Sequence, residues 1–451
     1  MDLNGLIDSI DSFVWGPYFG IPLLLGTGIL LLFLLRGIQF RRFGRAWKYT
    51  FGRDSAGGEG DISPYQALSA AMAATIGVGN IAGVATAISM GGMGAMFWMW
   101  VAAILGMGTK YAEVTLGTHY RKDLPDGTKL GGPFAALEHT KLPWLGIVFS
   151  IFTVIASLGI GNMNQANSLA VGFESAFGVP RWVSGIFCSF FIAIILIGGI
   201  KRLGETAAII VPFMSIVYIA GGVGVLVVFR ENIVPTLSQI FHDAFTGAAA
   251  TGGFAGSTMI MALQYGVARG IFSNEAGLGS APMAHSAAKT NAVRQGTVSL
   301  LEPFIDTIIV CSITGLSIGV TGAWSTGMTS TALTQEAFRL VYGNAGSIFV
   351  AIVLILFAFT TILSWNFYSR QNLLNIVQHA ARNEDSFKRL YPIISYSWIA
   401  FWIVLLTVGT TIEVEMLWKI SDIFNGLMMI PNLICIWLMA GELRRLTAEH
   451  A

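Results

Sequence analysis

The sequence predicts an all-α integral membrane protein of about 11 transmembrane helices: five in one half, five in an inverted second half, and one extra helix ahead of both. Three observations carry this. First, 54% of the 451 residues are hydrophobic and only 11% charged, with a mean hydropathy of +0.68, whereas a soluble domain is about a quarter charged. Second, the chain divides into apolar stretches near the ~20 residues that cross a bilayer core. Third, Asn80-Ile81-Ala82-Gly83-Val84-Ala85-Thr86-Ala87 returns as Asn274-Glu275-Ala276-Gly277-Leu278-Gly279-Ser280-Ala281 with four positions identical, each copy inside such a stretch.

The apolar stretches are 14–37, 65–91, 94–118, 144–173, 181–199, 206–229, 250–289, 296–321, 346–372, 391–410 and 415–440. The seventh is too long for one straight crossing, as expected of a helix broken near its centre. A further stretch, 233–246, reads as a short helix at the surface. Setting the first span aside, the repeat splits the other ten into fives, and an odd number forces the halves to be inverted. The expected divisions are 1–60 (extra helix and basic loop), 61–230, 231–441 and a tail, 442–451.

Basic residues fix the orientation, because cytoplasmic loops are enriched in Lys and Arg. With the N-terminus outside and the C-terminus inside, all but six of the 26 basic residues fall on the cytoplasmic side, among them Arg36, Arg41, Arg42, Arg45, Lys48, Arg53, Arg444 and Arg445. The exceptions are Arg181, Arg230 and Arg339 in outside loops and Lys110, Arg269 and Lys419 within spans. A multi-pass protein of the cell inner or plasma membrane is expected, with the lipid bilayer as its surroundings. A net charge of +1 gives no sign of a nucleic-acid partner. Cys188, Cys311 and Cys435 lie far apart in apolar spans, which argues against disulfides and thiolate metal sites. The histidines form no metal-type cluster. Met1-Asp2-Leu3-Asn4 lacks a basic leader region, so the first span is expected to be retained.

The repeat also locates chemistry. Gly77-Val78-Gly79 and Gly270-Ile271-Phe272-Ser273 each run into the shared Asn, and flexible residues before a good N-cap describe a helix that stops and restarts. Two interrupted helices at corresponding places mark a transporter's binding site. Both restarts are expected near the midplane, facing one site. Free N–H groups and the positive end of the helix dipole there suit a carboxylate. Carbonyls left over around Ala73, Thr75 and Ile76 suit an ammonium or a desolvated Na⁺. Together they describe an amino acid. Gly77 and Gly79 would let it approach the backbone, although small residues also serve tight helix packing.

Gly77-Val78-Gly79-Asn80, the run from Arg269 through Ser273-Asn274-Glu275-Ala276-Gly277 to Pro282, and Phe359-Thr360-Thr361-Ile362-Leu363-Ser364-Trp365 resemble the signatures of the alanine/glycine:cation symporter family, over nearly the whole chain. The resemblance implies Na⁺- or H⁺-coupled uptake of a small neutral amino acid by a protein that is not an enzyme, with no cofactor beyond the coupling ion. It also implies the five-plus-five inverted-repeat fold of the bacterial leucine transporter LeuT. Carried over residue by residue, the Val78 and Gly79 N–H groups would hold the carboxylate and the Thr75 carbonyl the amine, with Gly77, Gly270, Phe272, Ser273 and Asn274 counted among the substrate-binding residues. The Asn80 side chain would help bind one Na⁺. A second would sit among the Ala73, Ile76 and Ala358 carbonyls and the Thr361 hydroxyl. Ile362 stands where the distant relative has another hydroxyl, so Thr360 or Ser364 would substitute; back-bonding to the preceding turn is the alternative role for these hydroxyls.

Other intramembrane polar groups are functional candidates because burial is costly. Gln165, on one helical face with Gly161 and Ser168, could contact substrate, while Asn162, Asn164 and Asn167 suit interhelical hydrogen bonds equally well. Phe272 and Trp365 are walls of the site or plain packing. Arg269 and Glu275 are expected to pair, with Glu275 as amine ligand or proton carrier the other possibility. Glu302 and Asp306, on one helical face, could form a cation route; pairing with Arg or hydroxyls inside the bundle is the expected role. Lys110 and Glu113 are expected to snorkel at a cytoplasmic span end. Selectivity among Ala, Gly, Ser and Gln stays open, and oxygen-ligand sites favour Na⁺ over H⁺. A channel is disfavoured because the pseudo-symmetry lies within one chain. An intramembrane enzyme is disfavoured because Ser273 has no evident base and no His-Glu-x-x-His motif occurs.

Overall fold

The structure, a computed structural model, describes residues 3–52, 58–413 and 415–449; Met1, Asp2 and the expected cytoplasmic Arg53 lie outside them. It is helical nearly throughout. The helices used below are α1 (Leu3–Val14), α2 (Gly20–Leu34), α3 (Pro64–Thr75), α4 (Val84–Gly91), α5 (Ala95–His119), α6 (Trp144–Ala156), α7 (Asn164–Phe177), α8 (Arg181–Ile197), α9 (Gly199–Val228) and α10 (Ile233–Thr246). There follow α11 (Met259–Asn274), α12 (Ala281–His285), α13 (Ala292–Ser299), α14 (Ser312–Thr321), α15 (Ser330–Tyr342), α16 (Asn344–Ala380), α17 (Glu384–Gly409), α18 (Glu415–Leu438) and α19 (Ala440–Glu449).

By length and composition, six helical stretches of the described residues can cross a membrane: Trp144–Phe177, Gly199–Val228, Ala292–Thr321, Asn344–Ala380, Glu384–Gly409 and Glu415–Leu438. A seventh is the broken pair Pro64–Thr75 with Gly79–Gly91, bent by 52°. Their outward faces carry exposed apolar side chains, such as Ile209, Phe213 and Ile216 on α9, and the shorter apolar helix α8 exposes Phe187 and Phe190, as a lipid-facing surface requires. The expected surface helix is α10.

One stretch starts later than its hydropathy indicates. Residues 247–258 form turns closed by the bridges Ala248↔Ser257 and Thr251↔Phe254, and helix begins only at Met259. Gly247, Gly252 and Gly256 there have φ of +79°, +58° and +88°, backbone that helix cannot use.

Local chemistry sets the helices around the centre. Ser63 caps α3 through a reciprocal box: its Oγ accepts from Gln66 N at 3.2 Å while Gln66 Oε1 accepts from Ser63 N at 2.9 Å, and Pro64 fills the first turn. Three π-helical turns, Gly79–Gly83, Ser157–Met163 and Phe304–Cys311, interrupt otherwise α-helical segments, a device that often marks functional sites. α11 packs closely on α5 through small residues: a Cβ on Gly266 would lie 2.3 Å from the Ala95 carbonyl oxygen, and one on Gly270 3.0 Å from Met99 Cγ.

Candidate functional site

α3 ends where Ile76 turns extended (φ −75°, ψ 92°). The Gly77 amide, which in a continuous helix would reach the Ala73 carbonyl, donates instead to Asn80 Oδ1 at 2.8 Å. Asn80 therefore secures the break by reaching backwards from within the π turn; it does not cap the restarting helix, whose first turn has no side-chain cap.

The second break lies beyond its expected position. α11 runs through Asn274, and the chain unwinds over residues 275–280 before the short α12. Asn274 is thus a last helical residue and not a restart. Glu275 (φ +55°), Gly277 (φ +91°) and Gly279 (φ +81°) explain why: three left-handed residues outweigh the capping preference of one Asn. The two repeated asparagines share a different role. Asn80 Nδ2 donates to Asp306 Oδ1 at 2.6 Å, Asn274 Nδ2 to Thr307 Oγ1 at 3.0 Å, and Ser273 Oγ to Asp306 Oδ2 at 2.9 Å. Both breaks are tied to neighbouring residues of one π turn, Phe304–Cys311.

A small cavity of about 20 Å³ lies between the breaks, enough for a water-sized group. Ala74, Thr75, Gly77, Val78 and Gly79 line it from the first break, Phe272 and Glu275 from the second, Ile160 and Gln165 from the π turn and start of α7, Thr361 and Trp365 from α16, and Asn425 from α18. Trp365 Nε1 donates to Glu275 Oε1 at 3.1 Å, and Ser280 Oγ donates to Oε2. The Gln165 and Asn425 amide oxygens are buried without a protein donor. The lining thus pairs a carboxylate and two spare acceptors with the backbone of an unwound helix. A group bearing several N–H donors suits such a lining.

Of the residues singled out from sequence, Thr75, Gly77, Val78, Gly79, Gln165, Phe272, Thr361 and Trp365 meet at this cavity. Ser273, Asn274 and Asn80 lie beside it in the Asp306 cluster, and Gly270 faces Met99. Thr361 Oγ1 lies 3.4 Å from the Ala74 carbonyl oxygen, and Ser364 Oγ donates to Ala70 O at 2.9 Å. Thr360 bonds back to Leu356 and Phe357 and lies against Met214, away from the break. Ala73, Ile76 and Ala358 are buried and do not line the cavity. Sequence reasoning missed Asn425, Ala74 and Ile160. An amide in the middle of an apolar span was the available signal for Asn425.

The charged groups correct three expectations. Arg269 does not meet Glu275; it pairs with Asp422 at 3.6 Å and stacks on Phe272 and Trp418. Lys110 and Glu113 do not snorkel but are fully buried, with Lys110 Nζ 3.5 Å from Glu113 and 3.2 Å from Glu302. Glu302 takes Lys110 and His285 (3.2 Å) as partners rather than an Arg or a hydroxyl. Glu113 Oε2 also accepts from the Gly277 and Gly279 amides, both at 3.2 Å, and from Asn432 Nδ2 at 2.8 Å. A carboxylate on α5 thereby holds the unwound second segment in shape. Among the described residues no group of His, Cys, Asp or Glu is arranged to hold a metal ion.

Comparison with known proteins bears on this arrangement. The pattern of the sodium:alanine symporter family matches residues 1–451. A sodium/alanine symporter, AgcS, of Methanococcus maripaludis is 42% identical over 98% of this chain and 96% of its own. A probable sodium/glutamine symporter, GlnT, of Bacillus subtilis is 33% identical over 97% of this chain and 88% of its own. Among solved structures, a Na⁺-coupled sialic acid symporter aligns with a TM-score of 0.57 at 14% identity, covering 94% of this chain and 86% of that one. MhsT in complex with L-phenylalanine aligns at 0.51 and 13%, covering 87% and 97%. At such identities these two likenesses speak for a shared LeuT-like fold alone.

Proposed function

Because this chain belongs to the sodium:alanine symporter family, we propose that it couples uptake of a small neutral amino acid, alanine or glycine, to a Na⁺ gradient by alternating access. The observation that carries the reading is the cavity between two unwound helices, where peptide N–H groups, a carboxylate and spare amide oxygens converge. In this reading eleven helices span the membrane, ten of them as inverted fives, with the N-terminus outside.

The Val78 and Gly79 amides receive the substrate carboxylate, favoured by the start of the following helix. The ammonium lies towards the Thr75 carbonyl, Gln165 Oε1 and Glu275, which Trp365 and Ser280 hold in place. One cotransported Na⁺ takes the Ala73, Ile76 and Ala358 carbonyls with the Thr361 hydroxyl. Asn80 serves a second through its amide oxygen, held at the break by the Gly77 amide. Both Thr360 and Thr361 bond back to the Phe357 carbonyl, but Thr361 is preferred because its hydroxyl lies against Gly77 at the first break, whereas Thr360 lies against Met214. The cavity in this structure has room for a water-sized group and widens to admit alanine or glycine; close contact of Gly161 with Trp365 limits that widening and disfavours glutamine.

Uptake of labelled alanine into proteoliposomes tests this. Transport should collapse when the Na⁺ gradient is removed, and Na⁺ and alanine should raise each other's affinity by the same factor. Uptake driven by a H⁺ gradient alone would reassign the ion, and glutamine competing as well as alanine would reassign the substrate. Flux indifferent to both gradients would remove the symporter reading, and conductance above about 10⁶ ions per second would point to a channel, beyond the μs–s conformational timescale of a carrier.

A further inference from the structure

A basic concavity lies apart from the central cavity, where α2 ends. α2 exposes Leu30 and Phe33, the latter 75% accessible, and the chain leaves it through Leu35. Arg36 (φ +53°) and Gly37 (φ +66°) then turn the chain sharply, and a bulky residue in that backbone region is uncommon. Arg36, Arg41 and Arg42 from this turn and Arg444 from α19 line a pocket of about 230 Å³ whose apolar lining includes Leu35 and Ile38. Arg42 also ties two elements together, since its Nη2 donates to the Thr447 carbonyl at 3.0 Å, while Thr447 Oγ1 meets Tyr111 Oη at 2.8 Å. These bonds seat α19 against α5 and the segment that follows α2.

Arg36, Arg41 and Arg444 are exposed. Among the described residues, none of them has a carboxylate within ion-pair distance, and no acidic residue lines the pocket. The neighbouring Arg445 shows the contrast, held by Glu442 and Glu449. The three exposed guanidinium groups of Arg36, Arg41 and Arg444 around one hollow gain from an anion that joins them. Their planar forks match phosphate oxygens in geometry as well as charge.

We propose that this pocket binds the phosphodiester headgroup of an anionic membrane phospholipid, with its acyl chains running along the exposed Leu30 and Phe33 of α2. The lipid is favoured over a free phosphate because the pocket opens where an apolar, outward-facing helix meets its first charges. Basic residues beside a span attract anionic lipid. This assignment is independent of what the central cavity carries.

Lipid-stripped, full-length protein in neutral detergent is titrated with dioleoylphosphatidylglycerol, dioleoylphosphatidylcholine and inorganic phosphate, and bound lipid is counted by native mass spectrometry. Each arginine near an anionic headgroup contributes roughly fivefold, so three give about a hundredfold preference for phosphatidylglycerol at low salt, weakened as salt rises. The triple substitution Arg36→Gln, Arg41→Gln and Arg444→Gln should bring the two lipids within a few fold of each other while helical content is retained. Equal affinity of the unaltered protein for both lipids would overturn the proposal, and that comparison stands even where the triple variant fails to fold. A triple variant that keeps the full preference would overturn it too. Inorganic phosphate that displaces phosphatidylglycerol at equal concentration would show a small-anion site instead of a lipid site.

Discussion

A methyl group at Gly161 is the smallest change that tests the cavity. A Cβ there would meet Trp365 Cβ at 2.4 Å, Cγ at 2.6 Å and Cδ2 at 2.9 Å, whereas carbon atoms rest at about 3.5–4.0 Å. One partner must move by about an ångström. Trp365 is 2% exposed, packs edge-on against Tyr368 and holds Glu275 through its indole N–H, so the direction left to it is into the cavity it lines. Overpacking of this kind costs about 1–3 kcal/mol, and a strained or lost bond to a carboxylate adds to it. If the substrate-bound form carries the strain, Gly161→Ala should weaken alanine binding by roughly 5- to 150-fold. Gly83→Ala is the control. It sits at helical φ and ψ with no atom within 4 Å of the added Cβ, so uptake should be unchanged and stability equal or higher by up to about 1 kcal/mol. Labelled-alanine affinity and thermal unfolding of both variants in detergent provide the assay. Normal affinity in Gly161→Ala beside a damaged Gly83→Ala would refute the placement of Trp365 as a wall of the site.

Three further outcomes follow from the buried groups. Lys110→Met leaves Glu113 and Glu302 buried without their cation; a loss of about 3–5 kcal/mol is expected, read as a lower thermal midpoint, and Lys110→Met with Glu302→Gln should recover part of it. Glu275→Gln keeps volume and the Trp365 contact but removes the charge, so alanine affinity should fall at least tenfold (about 1.4 kcal/mol) while Na⁺ binding without substrate, followed by tryptophan fluorescence, is retained. Asn80→Ala removes the acceptor of the Gly77 amide and the donor to Asp306; the Na⁺ concentration for half-maximal uptake should rise severalfold, and full transport at low Na⁺ would contradict the role given to Asn80.

Much of the helical fold was legible because long apolar stretches report on the bilayer and need no knowledge of partners. The first break was legible through the repeat: Gly77 and Gly79 alone suit tight helix packing equally well, and the second copy of the motif tipped the reading towards a break. What stayed hidden was pairing. Lys110 meets Glu302, and Glu113 meets Gly277 and Gly279, across separations in sequence that no periodicity encodes. Read alone, Lys110 near a span end suits snorkelling, and Arg269 suits its near neighbour Glu275; tertiary packing overrode both. The position of the second break was written in Gly277 and Gly279, but the identity of Asn274 with Asn80 drew attention away from them.

That repeated asparagine nevertheless pointed to the right region, for a reason other than capping. An amide has both a donor and an acceptor, and in each copy one end serves the local backbone while the other crosses to a second helix. Asn80 accepts from Gly77 and donates to Asp306; Asn274 accepts from Ala276 and donates to Thr307. A capping Ser or Thr could accept from the backbone but could not reach so far with a second group. The two broken helices are therefore fastened to adjacent residues of one π turn and line one cavity. In the alternating-access reading this matters for coupling: a shift of either break strains the bond to residue 306 or 307 and is felt by the other, so the two unwound segments are expected to move together, carrying cation and substrate ligands as one unit.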